Sequence, residues 1–134
     1  MPDGQPLAGI RVLLVDDDED TRDIIDRVLS RRGAAVAAVP SAAAALETFA
    51  RERFDVLLVD IMMPGMDGYE FMRKVRALPP EKGGRVPAAT LTARSVTDDR
   101  LESLRAGFQN HLAKPVEPTA LVEVVAVLAG RDTK

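Results

Sequence analysis

The sequence predicts a three-layer α/β fold built on a parallel β-sheet, and three observations predict it. Five short apolar runs alternate with longer segments whose apolar residues recur at helical spacing. The apolar runs are nearly continuous rather than alternating, which is typical of strands buried on both faces of a parallel sheet. With 134 residues, 46% of them hydrophobic and 29% charged, the chain has the size and composition of one globular domain.

The first half of the chain predicts two strand–helix pairs and a third strand. A β-branched and aliphatic run over residues 11–15 precedes a helix that ends near Gly33, a residue typical of helix C-termini. A weaker strand over 34–39 precedes an alanine-rich helix that Ser41 can cap. The third strand, over 54–59, is the most apolar. In the first helix, the apolar residues that recur at helical spacing are Ile24, Ile25, Val28 and Leu29.

The second half predicts the remaining three helices and two strands. A helix containing Phe71 is stopped by the proline pair at 79–80, and a strand over 86–91 follows. Thr97 can cap a fourth helix, which Gly107 ends. The last elements are a strand over 110–113 and a helix with Pro118 in its first turn. Strands that alternate with helices in this way predict right-handed crossovers with helices on both faces of the sheet.

Charge and composition exclude several classes of function. Eighteen Lys and Arg residues against 21 Asp and Glu residues give a net charge of −3 and a pI near 5.2, so we expect no direct nucleic-acid binding. The absence of cysteine excludes disulfides, thiol catalysis and thiolate metal sites. No signal peptide opens the chain, and no apolar run approaches the roughly 18 residues of a membrane span. We therefore expect a cytoplasmic protein that is one domain over residues 1–134.

Polar residues stand where four of the predicted strands end. They are Asp16, Asp17, Asp60, Thr92 and Lys114. The carboxyl ends of parallel strands meet at one edge of the sheet, so we expect these side chains to converge there. Three neighbouring carboxylates repel one another and need a cation, and a site rich in oxygen ligands suits Mg²⁺. Thr92 and Lys114 could then hold the oxygens of a phosphoryl group, and a carboxylate among them could accept it.

These residues resemble the signature of a known family, the receiver domain of two-component response regulators. The resemblance covers residues 10–128, nearly the whole chain. Four segments carry it in the expected order and spacing: the acidic pair in 15–17, the acceptor segment 60–68, the hydroxyl segment 91–93 and the lysine–proline pair 114–115. The resemblance implies a flavodoxin-like, doubly wound, five-stranded sheet of order 2-1-3-4-5 with five helices, whose core covers about residues 10–129.

The resemblance also implies the role of each acidic residue. Asp60 would accept a phosphoryl group from a histidine kinase or a histidine phosphotransfer protein. Asp17 and Asp60 would bind Mg²⁺ directly, Asp16 through water, and the backbone carbonyl of Met62 would complete the protein ligands. Partner choice in this family is made on the exposed face of the first helix and on the loop after the fifth strand. The exposed residues expected on that helix face are Arg22, Asp23, Asp26 and Arg27.

A second set of implied roles concerns the response to phosphorylation. Thr92 and Lys114 would contact the phosphoryl oxygens, and Pro115 would follow a cis peptide bond. Movement of Thr92 would reshape the face formed by helix four, strand five and helix five, which would meet an unidentified protein target or a second copy of the chain. A phosphorylation-dependent dimer is therefore one expected form.

The sequence departs from the family at positions around the predicted site. His111 occupies the position where relatives often carry a tyrosine or phenylalanine whose side chain rotates as a switch. A switch residue and a half-buried structural histidine are equally good interpretations of it. Met62 and Arg94 flank the predicted phosphate pocket, and neither is a group that would orient an attacking water. We therefore expect slow self-dephosphorylation.

Each residue also has a purely structural interpretation. Acidic residues such as Asp18 suit a helix N-terminus, and Asp67 is better interpreted as a helix cap than as a ligand. Thr92 alone would be a strand former, and Lys114 alone a surface charge. The appearance of the whole set at strand ends favours the functional interpretation.

Two other functions compete with a phosphoacceptor receiver. A phosphatase with an aspartyl-phosphate intermediate would need a general acid where Met62 stands, and a lid for which the chain is too short. A receiver-like interaction module that is never phosphorylated would not need the intact acidic set. We expect no turnover of a separate substrate. Because residues 107–118 also resemble receivers of hybrid histidine kinases, the chain is expected to be a single-domain regulator, a relay shuttle or a receiver cut from such a kinase.

Overall fold

The computed structural model describes residues 5–92 and 96–131, and the side chains of all of these except 96–100. Five parallel strands form one sheet in the order β2-β1-β3-β4-β5, as expected. The strands are β1 (Arg11–Val15), β2 (Ala35–Val39), β3 (Val56–Asp60), β4 (Ala88–Thr92) and β5 (Asn110–Ala113). The helices between and after them are α1 (Glu19–Arg31), α2 (Ala42–Arg51), α3 (Gly68–Arg76), α4 (Val96–Ala106) and α5 (Pro118–Leu128).

Two hydrophobic cores lie on opposite faces of the sheet. On one face, α1 and α5 pack residues such as Ile25 and Leu121 against Val12 and Leu14 of β1. On the other face, α2 and α3 pack against alternate strand residues such as Leu13 and Val15, and Ala106 of α4 joins them. Because both faces are covered, the central strands are buried along their whole length, which explains their continuous apolar sequence.

The predicted strands are confirmed, but three of them have shifted boundaries, and β4 ends one residue later than predicted, at Thr92. β1 and β5 have the predicted bounds, and β2 begins one residue later than predicted. The prediction of a third strand over 54–59 is wrong at both ends, because β3 starts at Val56 and includes Asp60. Asp55 instead uses its carboxylate to accept the backbone N–H of Arg11 at 2.8 Å. β4 likewise begins after Pro87, which cannot donate a hydrogen bond to the ladder.

The helices confirm most of the predicted caps. Ser41 accepts the Ala44 N–H at 3.1 Å, Asp67 accepts the Glu70 N–H at 2.9 Å, and α5 begins at Pro118. Glu117 precedes α5, and the N–H groups of Ala120 and then Thr119 lower the pKa of its carboxyl. Gly107 follows α4 with φ +107°, as its predicted role requires.

Two predictions about helices are wrong. α4 begins at Val96, so Thr97 lies in its first turn rather than at the cap position; the Thr97 side chain and Arg94 lie outside the described residues. Ile24 was expected on the apolar face of α1, but 58% of it is exposed. Only one stripe of this helix faces the sheet, and Ile25 and Leu29 fill it.

Arg76, at the end of α3, joins that helix to the loop that precedes β5. Its guanidinium donates to the Gly107 carbonyl at 2.7 and 3.1 Å and to the Gly84 carbonyl at 3.0 Å. Burial lowers the pKa of Arg76. These bonds fix where α4 ends and β5 begins.

Within the part of the chain that the structure describes, no helix combines the length and apolarity that crossing a bilayer requires.

Replacement of the α2 cap tests the local origin of that helix. We expect Ser41→Ala to lower the free energy of unfolding by about 1 kcal/mol, because the Ala44 N–H loses its acceptor. Urea denaturation measures the change. Ser30→Ala is the matched control: this exposed serine inside α1 donates to the Asp26 carboxylate at 2.8 Å but caps no helix, so its loss should cost less than about 0.5 kcal/mol. Equal losses in the two variants would contradict the capping role.

Candidate functional site

The carboxyl-terminal edge of the sheet brings the predicted polar residues to one place. Asp16 directly follows β1, Asp60 and Thr92 are the last residues of β3 and β4, and Lys114 directly follows β5. Backbone bonds continue past the strand ends, since the Asp16 N–H donates to Val39 and the Lys114 N–H donates to the Thr92 carbonyl. The strand register therefore fixes the height of each functional residue above the sheet.

Three carboxylates form the centre of the site. Oxygens of Asp16, Asp17 and Asp60 all lie within 4.8 Å of one another. Asp16 and Asp60 are buried, whereas Asp17 is exposed. Like charges this close raise the free energy of the ionised state, and burial raises it further.

Lys114 partly offsets this repulsion. Its Nζ lies 2.8 Å from Asp16 Oδ2 and 3.4 Å from Asp60 Oδ2. Desolvation acts to lower the pKa of Lys114, but the carboxylates of Asp16 and Asp60 outweigh it, so the pKa lies above its usual value. The lysine is therefore a charged group that bridges the ends of β1 and β3.

The ionised form of Asp60 is destabilised by its surroundings. Burial and then the charge of Asp16 raise its pKa to about 7, although Lys114 and the N–H of Met62 act in the opposite direction. One lysine is thus not enough to stabilise the fully ionised cluster. A divalent cation would complete the balance of charge.

The start of α1 holds Asp16 in place. Asp16 Oδ1 accepts the Asp18 N–H at 2.9 Å, and the Asp16 carbonyl accepts Arg22 Nη1 at 2.8 Å. Arg22 is half-buried by this bond, so the expectation that it lies on an exposed partner-facing surface is wrong in part. Asp18 is exposed at the helix cap position, and a hydrogen bond from Thr21 lowers its pKa. Asp18 is therefore better interpreted as a helix-terminus residue than as a ligand.

The loop after β3 shapes the other side of the site. Asp60 Oδ1 accepts the Met62 N–H at 3.2 Å, and 54% of Met62 is exposed. Gly68 approaches so closely that a Cβ there would lie 2.6 Å from the Asp60 carbonyl oxygen. A side chain at position 68 would therefore push the acceptor strand out of place. The sequence predicted Met62 as a carbonyl ligand, but gave no sign of the role of Gly68.

The remaining predicted residues lie around this centre. Thr92 is buried at the end of β4, and Pro115 follows a cis peptide bond after Lys114, as expected. His111 lies on β5, half-buried, and is paired in register with Thr90 of β4. It is therefore not part of the carboxylate cluster.

A polar cluster that the sequence did not reveal lies beside His111. Thr90 is buried, and its hydroxyl has no hydrogen-bond partner within the described part of the chain. Buried hydroxyls of Tyr69 and Ser103 lie 3.5 Å apart and join α3 to α4. Isolated hydroxyl residues on different elements give no sequence signal that they will meet.

The donor atoms fit a small hard cation. The cluster offers carboxylate oxygens from three residues, two of them buried and facing one lysine. Mg²⁺ prefers oxygen ligands, binds through one or two carboxylates and keeps positions for water and phosphate oxygens. The arrangement can hold such an ion against the buried Asp60 carboxylate, the candidate acceptor of a phosphoryl group.

Comparison with known proteins agrees with this geometry. The sequence profile of the response regulator receiver domain matches residues 12–126. The chain belongs to this family. It is therefore a receiver domain of two-component systems, and the flavodoxin-like fold is confirmed.

Relatives place the receiver in different protein contexts. An uncharacterised 14.6 kDa protein of Leptolyngbya boryana is 45% identical over 90% of this chain and 91% of its own length. Response regulator protein FleR of Pseudomonas aeruginosa is 38% identical over 87% of this chain, which spans only 24% of that protein.

A solved structure is similar over most of the chain. It is the receiver domain of a sensor histidine kinase from Pseudomonas aeruginosa with a magnesium ion coordinated in its active-site cleft. It has a TM-score of 0.82 and 35% identity, and the alignment covers 92% of this chain and 99% of that one.

The raised pKa of Asp60 predicts a dependence of stability on pH. Folding binds the Asp60 proton more tightly than the unfolded chain does, so this contribution is full below pH 3.8 and is lost as pH rises through about 7. In EDTA at pH 8 we expect Asp60→Asn to raise the free energy of unfolding by about 2 kcal/mol. The gain should shrink as pH falls towards 4, in urea denaturation at several pH values.

Asp18→Asn is the matched control for that measurement. Its carboxyl is exposed and its pKa is lowered rather than raised, so this variant should show no gain at pH 8. A stabilisation by Asp60→Asn that does not change with pH would contradict the electrostatic explanation.

Proposed function

We propose that this chain is a phosphoacceptor receiver in which Asp60 is phosphorylated in a Mg²⁺-dependent reaction. One observation carries the proposal: the buried Asp60 carboxylate lies 3.4 Å from Lys114 Nζ and within 4.8 Å of two further carboxylates. A purely structural aspartate would not be expected to lie buried among like charges that raise its pKa. The family assignment supports the same interpretation.

In the transfer step, an oxygen of Asp60 bonds to phosphorus while the bond between phosphorus and the donor breaks. The donor leaves with the electron pair of that bond, and the product is an acyl phosphate. Lys114 faces the incoming oxygens with its charge, and we assign Thr92 a hydrogen bond to one of them. Protein groups here mainly position the reactants, since little proton transfer is required.

The acidic cluster is the proposed Mg²⁺ site. Asp17 and Asp60 would be the direct carboxylate ligands, the Met62 backbone carbonyl would be the third protein ligand, and Asp16 would act through water. When bound, the ion neutralises charge that would otherwise build up between the carboxylates and the phosphoryl oxygens.

The proposed donor is a histidine kinase or a histidine phosphotransfer protein. We propose that the chain works as a single cytoplasmic receiver domain over residues 1–134, either as a diffusible regulator or as a relay shuttle. Its similarity to a histidine-kinase receiver leaves the excised form as the alternative context.

The proposed output surface is the face formed by α4, β5 and α5. Leu101 and Leu104 of α4 are 59% and 57% exposed, and Val127 of α5 is 60% exposed. Exposed apolar side chains of this size suit contact with a protein target or a second copy. Phosphorylation would act on this face through Thr92 and His111.

His111 is the proposed switch residue. Its neighbour in register, Thr90, holds a buried hydroxyl without a partner among the described residues, and an inward-turned imidazole would supply one. The hydrogen bond between His111 and Thr90 would then take the place of the apolar packing that a tyrosine or phenylalanine ring would make at position 111. The unphosphorylated state would then leave Thr90 unsatisfied.

Acetyl phosphate tests the acceptor directly. With Mg²⁺, we expect intact mass to rise by one phosphoryl group in the wild type and in Asp18→Asn, which keeps the buried cluster. Asp60→Asn or EDTA should abolish the gain, because the acceptor or the ion is lost. If the wild type is unchanged, transfer from a phosphorylated histidine phosphotransfer protein is the second arm; failure of both would leave the interaction-module function.

Phosphoryl lifetime tests the role of Met62. We expect a half-life of minutes or longer for the acyl phosphate, because the exposed Met62 side chain has no polar group to orient a water. Met62→Asn should shorten the half-life several-fold, since its amide can hold a water near phosphorus. Phosphate release after removal of the donor measures both rates, and a wild-type half-life of seconds would contradict the expectation.

Thr90→Val tests the switch pair. Removal of an unpaired buried hydroxyl should raise the free energy of unfolding of the unphosphorylated protein by about 1 kcal/mol. His111 is the one histidine in the sequence, so its ring resonances can be assigned without ambiguity in NMR spectra. Phosphorylation should shift them in the wild type and much less in Thr90→Val; equal shifts in both proteins would exclude the pair.

A further inference from the structure

A groove of about 900 Å³ lies at the opposite end of the sheet from the acidic cluster. It is formed by the C-terminal part of α2, the segment before β3, the end of α3 and the loop before β4. β3 begins at this groove and ends at Asp60, so the two sites occupy opposite ends of the same strand. Nothing in the proposed phosphoacceptor function uses the groove.

The floor of the groove is apolar and partly aromatic. Phe49 and Phe54 stack with their ring centroids 6.4 Å apart and an angle of 11° between the planes. The Arg11 guanidinium lies 5.5 Å from the Phe54 centroid. Leu46 and Leu78 extend the floor, and both remain half-exposed. An aromatic ligand body could therefore bury further apolar surface here.

The rim of the groove is cationic although the chain as a whole has a net charge of −3. Five exposed basic side chains line it: Arg51, Arg53, Lys74, Lys82 and Arg85. Three carboxylates also line it: Glu52 pairs with Arg11 at 2.7 Å, Asp55 accepts the Arg11 backbone N–H, and Glu81 is exposed, so basic side chains outnumber acidic ones on the rim by five to three. Within the described residues, none of Arg53, Lys74, Lys82 and Arg85 has a carboxylate within 4.0 Å.

Helix dipoles explain only part of this charge. Arg51 and Lys74 lie in the last turns of α2 and α3, where cations suit the negative end of the dipole. Lys82 ends a single 3-10 turn over Pro80–Lys82, whose dipole is small, and Arg53 and Arg85 lie outside all of the helices. Their convergence on one apolar groove is better explained by an anionic ligand.

We propose that this groove binds a small aromatic anion, with the aromatic body on the Phe49–Phe54 floor and the acidic group against Arg53, Lys82 and Arg85. The groove volume falls within the range of small-molecule sites, roughly 300–1,000 Å³. An apolar floor combined with a few charged groups is also the usual composition of such sites. The basic rim favours a negatively charged ligand, and the stacked rings favour a flat aromatic one.

Two fluorescent probes with the same aromatic body test the proposal. The first is 8-anilinonaphthalene-1-sulfonate, and the second is N-phenyl-1-naphthylamine, which lacks the sulfonate. In fluorescence titrations of the full chain, we expect the anion to bind about tenfold more tightly than the neutral probe. Amide shifts in NMR spectra should concentrate at residues 50–55 and 82–86.

Charge variants test whether the rim residues themselves, rather than the overall charge of the chain, determine the affinity for the anion. The triple variant Arg53→Gln, Lys82→Gln, Arg85→Gln should weaken the anion about fivefold and leave the neutral probe unchanged. The matched control, Arg27→Gln, Arg31→Gln, Arg105→Gln, removes three exposed cations that do not line the groove and should change neither affinity. Because all six positions are exposed, both variants are expected to fold.

A blocking variant tests the location. Ala50 is exposed on the groove wall, so Ala50→Trp should fill the groove and weaken both probes. Asp60→Asn should not change either affinity, which keeps this test independent of the phosphoacceptor function. Equal affinity for the two probes, no response to the rim variant, or amide shifts confined to the α4–β5–α5 face would overturn the proposal. A dimer in sedimentation that Ala50→Trp dissociates would also overturn it, by assigning the groove to a second copy.

Discussion

The mutual repulsion of two buried carboxylates, Asp16 and Asp60, is the constraint on which the rest of the site depends. Such a pair is costly in a protein interior unless a cation is close. Lys114 is that cation, and it is held at the end of β5 by its own backbone bond to β4. The lysine leaves the cluster short of positive charge, as the raised pKa of Asp60 shows. A divalent cation would supply the positive charge that the site lacks.

The parallel sheet converts this local chemistry into a single site. Residues 16, 60 and 114 are far apart in sequence, but each follows or ends a strand whose carboxyl end lies at the same edge. Gly68 and Arg22 then fix the two central segments from either side, one by close approach and one by a hydrogen bond to a carbonyl. Covered faces on both sides of the sheet keep these strands from shifting. The strands that carry the strained carboxylate cluster are therefore held rigidly in place.

The same architecture leaves the two ends of β3 with opposite character. One end is acidic and buried, and the other opens into an aromatic groove with a basic rim. β3 is buried at every position between them. The tertiary structure separates these charges by the length of one strand within a small domain.

The sequence by itself determined the kind of each element and the polar residue at each strand end, because periodicity, caps and turn residues act over a few neighbouring positions. It therefore predicted β1, β5, the Ser41 and Asp67 caps and the convergence of Asp16, Asp60 and Lys114. Only the tertiary structure decided that Ile24 faces outward, that Arg22 binds the Asp16 carbonyl, and that Thr90 lies beside His111. It also decided that five basic residues from separate segments surround one groove. These features depend on sheet order and helix packing, which set distances between residues that no local pattern connects.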